Sequence, residues 1–317
     1  MHIFVVVLLL ILGFVLIIKG GSFFVDAASW IAEVSGIPKI IVGATIVSIA
    51  TTLPELLVSV MAAAEGKVDI SLGNAVGSVT ANTGLIMAVG IIAMPVVIKR
   101  SEYAFKSILM LAAAVIIVIF GQRGAISLGI SVFLLIIFAL FMVENVVSAK
   151  RSMDGTEEKS QVDKDKKTVI INIIKFAAGA AGIIIGADLL VDNGSELARI
   201  FGVSERIIGV TLVAVGTSLP ELITTLTAIR KKQSALSVGN ILGANIIDLT
   251  LIMPLSAVIS GKELPVAATT AAIDFPACLI VGALTVVPAL IFSRFYRWQG
   301  IVILIVYVGY LVLTCMA

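Results

Sequence analysis

The sequence predicts an all-α polytopic membrane protein: ten transmembrane helices in two inverted five-helix repeats, with broken helices at the midplane. Two observations carry that expectation. The 317 residues are 60% hydrophobic and only 13% charged, with a mean hydropathy of +1.17, far too apolar for a water-soluble domain. The run Ala50-Thr51-Thr52-Leu53-Pro54-Glu55-Leu56 returns 166 positions later as Gly216-Thr217-Ser218-Leu219-Pro220-Glu221-Leu222, each time inside a long apolar stretch.

The apolar runs follow in order, most near the ~20 residues a bilayer requires. The first, 3–18, reads as a retained helix, because only His2 stands where a signal peptide would be basic and no small-residue cleavage site precedes Lys19. Runs at 40–64 and 70–98 hold the first copy of the motif, and 104–120 and 125–147 complete the first half. Runs at 169–190, 207–229, 236–259, 268–292 and 299–316 repeat that order.

The duplication extends beyond the heptapeptide. Gly43, Thr45, Val47, Ser71, Gly73, Asn74 and Gly77 recur as Gly209, Thr211, Val213, Ser237, Gly239, Asn240 and Gly243, all at the same offset of 166. Residues 1–149 form the first repeat (signature 43–82) and 169–317 the second (signature 209–248), joined by a linker at 150–168. Five spans is an odd number, so the second copy enters the membrane from the opposite side, the construction of many secondary transporters.

The linker carries Lys150, Arg151, Lys159, Lys164, Lys166 and Lys167 with Asp154, Glu157, Glu158, Asp163 and Asp165 and almost nothing apolar, so it is expected to be solvated. Orientation follows from the bias of Lys and Arg toward the cytoplasm. With both termini extracellular and the linker cytoplasmic, only Lys67, Arg123, Arg199, Arg206 and Lys262 of the 22 Lys and Arg lie outside. A multi-pass protein of the cell membrane is expected, working in lipid as a monomer and without nucleic acid. Cys278 and Cys315 sit in apolar runs, where cysteine behaves as a small hydrophobe.

Each repeat places a carboxylate, Glu55 or Glu221, where the bilayer core should be, at a cost of at least ~2.5–3.5 kcal/mol. Pro54 and Pro220 lack an N–H, so the carbonyls of Ala50 and Gly216 lose their helical partners one turn before the carboxylate. In lipid such carbonyls are tolerated only inside protein or along a cavity. Thr51 is four residues and Ser48 seven residues from Glu55, on the same helix face. Carboxylate, hydroxyl and carbonyl oxygens together suit a hard cation. The next span adds a stripe, Asn74, Ser78 and Asn82 in one half and Asn240, Ala244 and Asp248 in the other. Two further acids stand apart: Glu144, expected to reach the cytoplasmic interface, and Asp274, whose counterpart is Ile108.

Thr51-Thr52-Leu53-Pro54-Glu55 and Gly216-Thr217-Ser218-Leu219-Pro220-Glu221, each followed by Gly-Asn-x-x-Gly, resemble the two α-repeats of the calcium:cation antiporter superfamily, in its prokaryotic sodium/calcium exchanger branch. Arg297-Trp298-Gln299-Gly300 is similar to that branch as well. The resemblance implies alternating access at a midplane site with four cation positions. It implies Ca2+ between Glu55 and Glu221, with the carbonyls of Thr51 and Thr217. It implies sodium ligands at Ser48 (backbone carbonyl), Thr51, Thr52, Glu55 and Ser78, and at Ala214 (backbone carbonyl), Thr217, Ser218 and Glu221, with Asn82 and Asp248 flanking the middle position. No cofactor is implied beyond the transported ions Ca2+ and Na+.

Three residues depart from the family's pattern: Ala50 stands for Gly, Val79 for a common Asn, and Ala244 for a Ser hydroxyl at an outer sodium position. Ala244 keeps open a H+/Ca2+ exchanger on the same scaffold, although proton exchangers usually carry Gly-Asn-x-x-Glu in place of Leu-Pro-Glu. A passive cation channel would need a continuous polar path, which these spans lack. An enzyme is not expected, because His2, the only histidine, lies at the terminus and leaves no histidine to assist a nucleophile.

Overall fold

The computed structural model of the protein describes residues 3–154, 165–202, 216 and 218–316. These residues form helices α1 (Ile3–Ser35), α2 (Lys39–Thr51), α3 (Leu53–Ala64), α4 (Val68–Ala93), α5 (Arg100–Gly121), α6 (Leu128–Asp154), α7 (Lys166–Ile200), α8 (Leu219–Arg230), α9 (Ser234–Ser260), α10 (Thr270–Phe292) and α11 (Arg297–Met316). Strand pairing among them is confined to β1 (Ala125–Ile126) with β2 (Leu264–Pro265) and one bridge, Val97 with Arg294. Eight of the described helices are long and apolar enough to cross a bilayer, and the bent pair α2 and α3 makes a ninth. The run expected at 207–229 lies partly outside the described residues; its end is α8.

Two expected spans prove too short. The first, expected at 3–18, continues as α1 to Ser35, and the sixth, expected at 169–190, is α7, 35 residues long. Gly20 and Gly21 do not interrupt α1, because glycines are where it meets a neighbour. A Cβ at Gly20 would lie 2.9 Å from the Gly179 carbonyl, and one at Gly186 would lie 2.9 Å from the Gly13 carbonyl. Small residues let the two backbones touch along their length. Gly36, at φ 72°, ends α1. At the linker's far end Asp165 caps α7, its side chain accepting from the Thr168 N–H at 2.9 Å.

Between α2 and α3 the chain bends by 48° at Thr52, whose φ and ψ are −85° and 2°. Pro54 explains the position. A proline cannot continue α2, but in the first turn of a new helix its missing N–H is no loss. Ser218 repeats the same backbone, φ −85° and ψ 4°, before Leu219-Pro220.

The main apolar core joins α2, α4, α5, α6, α9, α10 and α11. α2 and α9 are in close contact at Gly243, where a Cβ would lie 2.5 Å from the Ala44 carbonyl oxygen and the Ser48 Oγ. We expect Gly243→Ala to lower stability by ~1–3 kcal/mol, because backbone must shift to admit it. Gly129→Ala, whose nearest new neighbour is Ser127 Oγ at 3.9 Å, should be neutral. Thermal unfolding in detergent compares the two.

The loosely placed acids find partners. Glu144 does not reach for the interface: it forms an ion pair with the fully buried Lys106 of α5 and accepts from Ser148 Oγ at 2.6 Å. A buried ammonium must be paired, and α6 supplies the carboxylate. Asp274 accepts from the Tyr310 hydroxyl at 3.0 Å.

Candidate cation site

Glu55 and Glu221 occupy the first turns of α3 and α8, each three residues past its break. The breaks put each carboxylate at a helix N-terminus, where free N–H groups favour negative charge. Both side chains are buried, at 1% and 0% exposure. Ser48, Thr51, Thr52, Ser78, Asn82, Ser218 and Asp248 are buried as well. Ala214 and Thr217 lie outside the described residues.

Cross-half hydrogen bonds draw the two motifs together. Thr52 Oγ1 donates to Glu221 Oε1 at 3.2 Å, and Thr51 Oγ1 donates to Asn240 Oδ1 at 3.2 Å. Glu55 lies within electrostatic range of both Glu221 and Asp248. Ser48 turns its hydroxyl inward along its own helix, to the Thr45 carbonyl at 3.1 Å, while its carbonyl accepts from the Thr52 N–H at 2.9 Å.

Asn82 and Asp248 share a feature that the residue pattern did not announce. Each opens a π-helical segment, Asn82–Met87 in α4 and Asp248–Ile252 in α9. A π segment widens the helix by one residue per turn and re-aims the side chains at its start.

The site's most telling property is its unpaired acceptors. Both oxygens of Glu55, both of Asp248, Oε2 of Glu221, Oδ1 of Asn82 and Oγ of Ser218 are buried with no hydrogen-bond partner. Buried polar groups are almost always satisfied, so a concentration of unsatisfied oxygens, most of them carboxylate, calls for a cation. Among the described residues no three His, Cys, Asp or Glu side chains stand as a preformed metal centre.

Residue spacing alone overlooked Thr224 and Thr225, both fully buried with unpartnered hydroxyls. Thr225 lies four residues past Glu221 and so shares its face; that spacing was the available signal. A cavity of about 480 Å³, lined by Leu53, Pro54, Leu57, Val58, Asp188 and Gly216 among others, lies between α3 and α7 and reaches both prolines of the motifs.

The family model described as sodium/calcium exchanger protein matches residues 5–147 and 171–316. The sodium/calcium exchanger MaX1 of Methanosarcina acetivorans is 30% identical over 349 residues, covering 96% of this chain and 97% of that protein. The inner membrane protein YrbG of Escherichia coli is 33% identical over 261 residues, covering 81% of this chain and 80% of that protein. A solved structure of the sodium-calcium exchanger NCX_Mj, soaked with Na+ and Sr2+, superposes with a TM-score of 0.82 at 29% identity, covering 97% of this chain and 98% of the other.

Proposed function

Since the chain belongs to the sodium/calcium exchanger protein family, we propose that it is a secondary active antiporter that exchanges Ca2+ for Na+ by alternating access at the Glu55 and Glu221 site. The observation that carries this reading is the cluster of buried, unpartnered carboxylate oxygens drawn from both halves. Two carboxylates neutralise one Ca2+, and in a medium of low dielectric that neutrality is worth several kcal/mol. The carbonyls of Thr51 and Thr217 complete the calcium position. Monovalent ions compete through Ser48, Thr52, Ser78, Ala214 and Ser218, with Asn82 and Asp248 beside the middle position.

The ten-span, inverted-repeat plan belongs to the same proposal, and three symmetric details support it. The breaks at Thr52 and Ser218 share one backbone conformation. The π segments begin 166 residues apart, at Asn82 and Asp248. Shifting Val97 forward and Arg294 back by 166 gives Glu263 and Leu128, one and two residues from the paired Leu264 and Ile126. With this plan both termini are extracellular and the chain sits in the cell membrane as a monomer.

One observation favours a second driving ion: Ala244, the counterpart of Ser78, is fully buried and offers no oxygen. The test is calcium uptake into proteoliposomes under an imposed sodium or proton gradient. Uptake driven by sodium and not by pH supports the reading; uptake driven by pH alone makes the protein a H+/Ca2+ exchanger.

A further inference from the structure

The two copies differ at one hydrogen-bonding position in a way their sequences do not. Asn74 and Asn240 are counterparts. In the first half Asn74 Nδ2 donates to Ser59 Oγ at 2.9 Å and to the Glu55 carbonyl at 3.1 Å, pinning α4 to α3 at the carboxylate. The counterpart of Ser59 is Thr225, so the second half holds the same pair of groups. The bond is not made there. Asn240 Nδ2 and Thr225 Oγ1 are both buried without a partner, and Asn240 Oδ1 accepts instead from Thr51 Oγ1 of the other half. A buried donor and a buried acceptor, each left unpaired on neighbouring helices, form an unfavourable arrangement that something else must hold in place.

The packing around the two motifs is unequal in the same sense. Ile223 of α8 is covered by α1 at Gly21, where a Cβ would lie 3.0 Å from Ile223 Cγ2. Its counterpart Leu57 of α3 is 58% exposed and lines the cavity against α7. Leu57 is thus open where its counterpart Ile223 is covered.

We propose that Asn240 is a positioning residue with two alternative partners: Thr51 in the arrangement described here, and Thr225 with the Glu221 carbonyl when the halves exchange roles. Releasing Thr51 and seating α8 on α9 are then a single event, which ties the geometry of the ligands to which side of the site is open. This inference rests on the alternating-access reading above. Asn240 acts through Thr51 and Glu221, which hold the ion.

The test uses the full-length chain in detergent, with Cys278 and Cys315 replaced by alanine and a single reporter thiol introduced by Leu57→Cys or Ile223→Cys. A hydrophilic maleimide reads how open each side is. In the parent, the reporter at position 57 labels and the reporter at position 223 is protected. Thr51→Val removes the partner used here and keeps the backbone carbonyl. It should raise labelling at position 223 relative to position 57 by about three- to tenfold, the effect of one hydrogen bond. Thr225→Val removes the alternative partner and should lower labelling at position 223 by a similar factor. In an Asn240→Leu background both substitutions should leave the rates unchanged, as expected of a coupled pair.

Shifts of the same sign for the two valine variants, no shift in either, or opposite shifts that persist with Asn240→Leu would each overturn the proposal. Valine is isosteric with threonine, and an unchanged melting temperature separates a shift in conformation from misfolding. Labelling needs no ion gradient, so the two readings fail separately. A chain that labels as expected but moves no calcium loses the transport reading, and one that exchanges calcium without these shifts loses the role of Asn240.

Discussion

Glu55→Gln and Glu221→Gln are each expected to reduce gradient-driven calcium uptake by at least about a hundredfold. Glutamine keeps the shape of the side chain and one carbonyl oxygen, so the fold should survive. What is lost is one negative charge against a divalent cation in a fully buried site. Breaking a buried charge pair costs ~3–5 kcal/mol, which corresponds to more than a hundredfold in binding. Both variants should be equally affected, because each carboxylate stands at the same place beyond its own helix break. The measurement is 45Ca2+ uptake into proteoliposomes, normalised to correctly folded protein. Near-normal uptake by either variant would remove these residues from the site.

Ala244→Ser is expected to strengthen the competition of sodium against calcium by roughly ten- to a hundredfold. Ser78, its counterpart, carries a hydroxyl at 4% exposure, and Ala244 occupies the equivalent buried place with a methyl group. Restoring one neutral oxygen to a cation's shell is worth ~1–3 kcal/mol. Ser78→Ala should act in the opposite sense and weaken sodium further. The readout is the sodium concentration that halves calcium uptake, taken with and without a pH gradient. Unchanged sodium dependence in Ala244→Ser, together with uptake driven by pH alone, would identify protons as the driving ion.

The parts of this site visible in the sequence are those with a local chemical signature. A proline one residue before a carboxylate inside an apolar run announces both the helix break and the charge, and Thr52 and Ser218 stand at those breaks. Repetition at a constant offset then fixed which residues belong together. Features decided by a distant element left no such mark. Glu144 looked close to the interface because nothing in its own run points to Lys106 on another helix. The lengths of α1 and α7 exceed the expected runs, which stop at 18 and 190, just short of Lys19 and Asp192. Their glycine contacts, set by each other's backbones, keep both helices continuous. The π segments at Asn82 and Asp248 were invisible for a different reason: one extra residue per turn leaves the apolar periodicity almost unchanged.

The glycine seam between α1 and α7 also bears on leak. A conducting pore would require both mouths of the site to open at once. α1 covers α8 at Gly21, while α7 borders the cavity beside α3. For both mouths to gape, the two helices would have to part along Gly13, Gly20, Gly179 and Gly186, surrendering backbone contacts that no lipid chain can replace. On the alternating-access reading proposed above, helices splinted in this way would move as a single strut, withdrawing from one mouth only by advancing on the other. On that reading the absence of side chains at a few positions would suppress uncoupled slippage of ions down their gradients, and bulk introduced there should appear first as a passive calcium current.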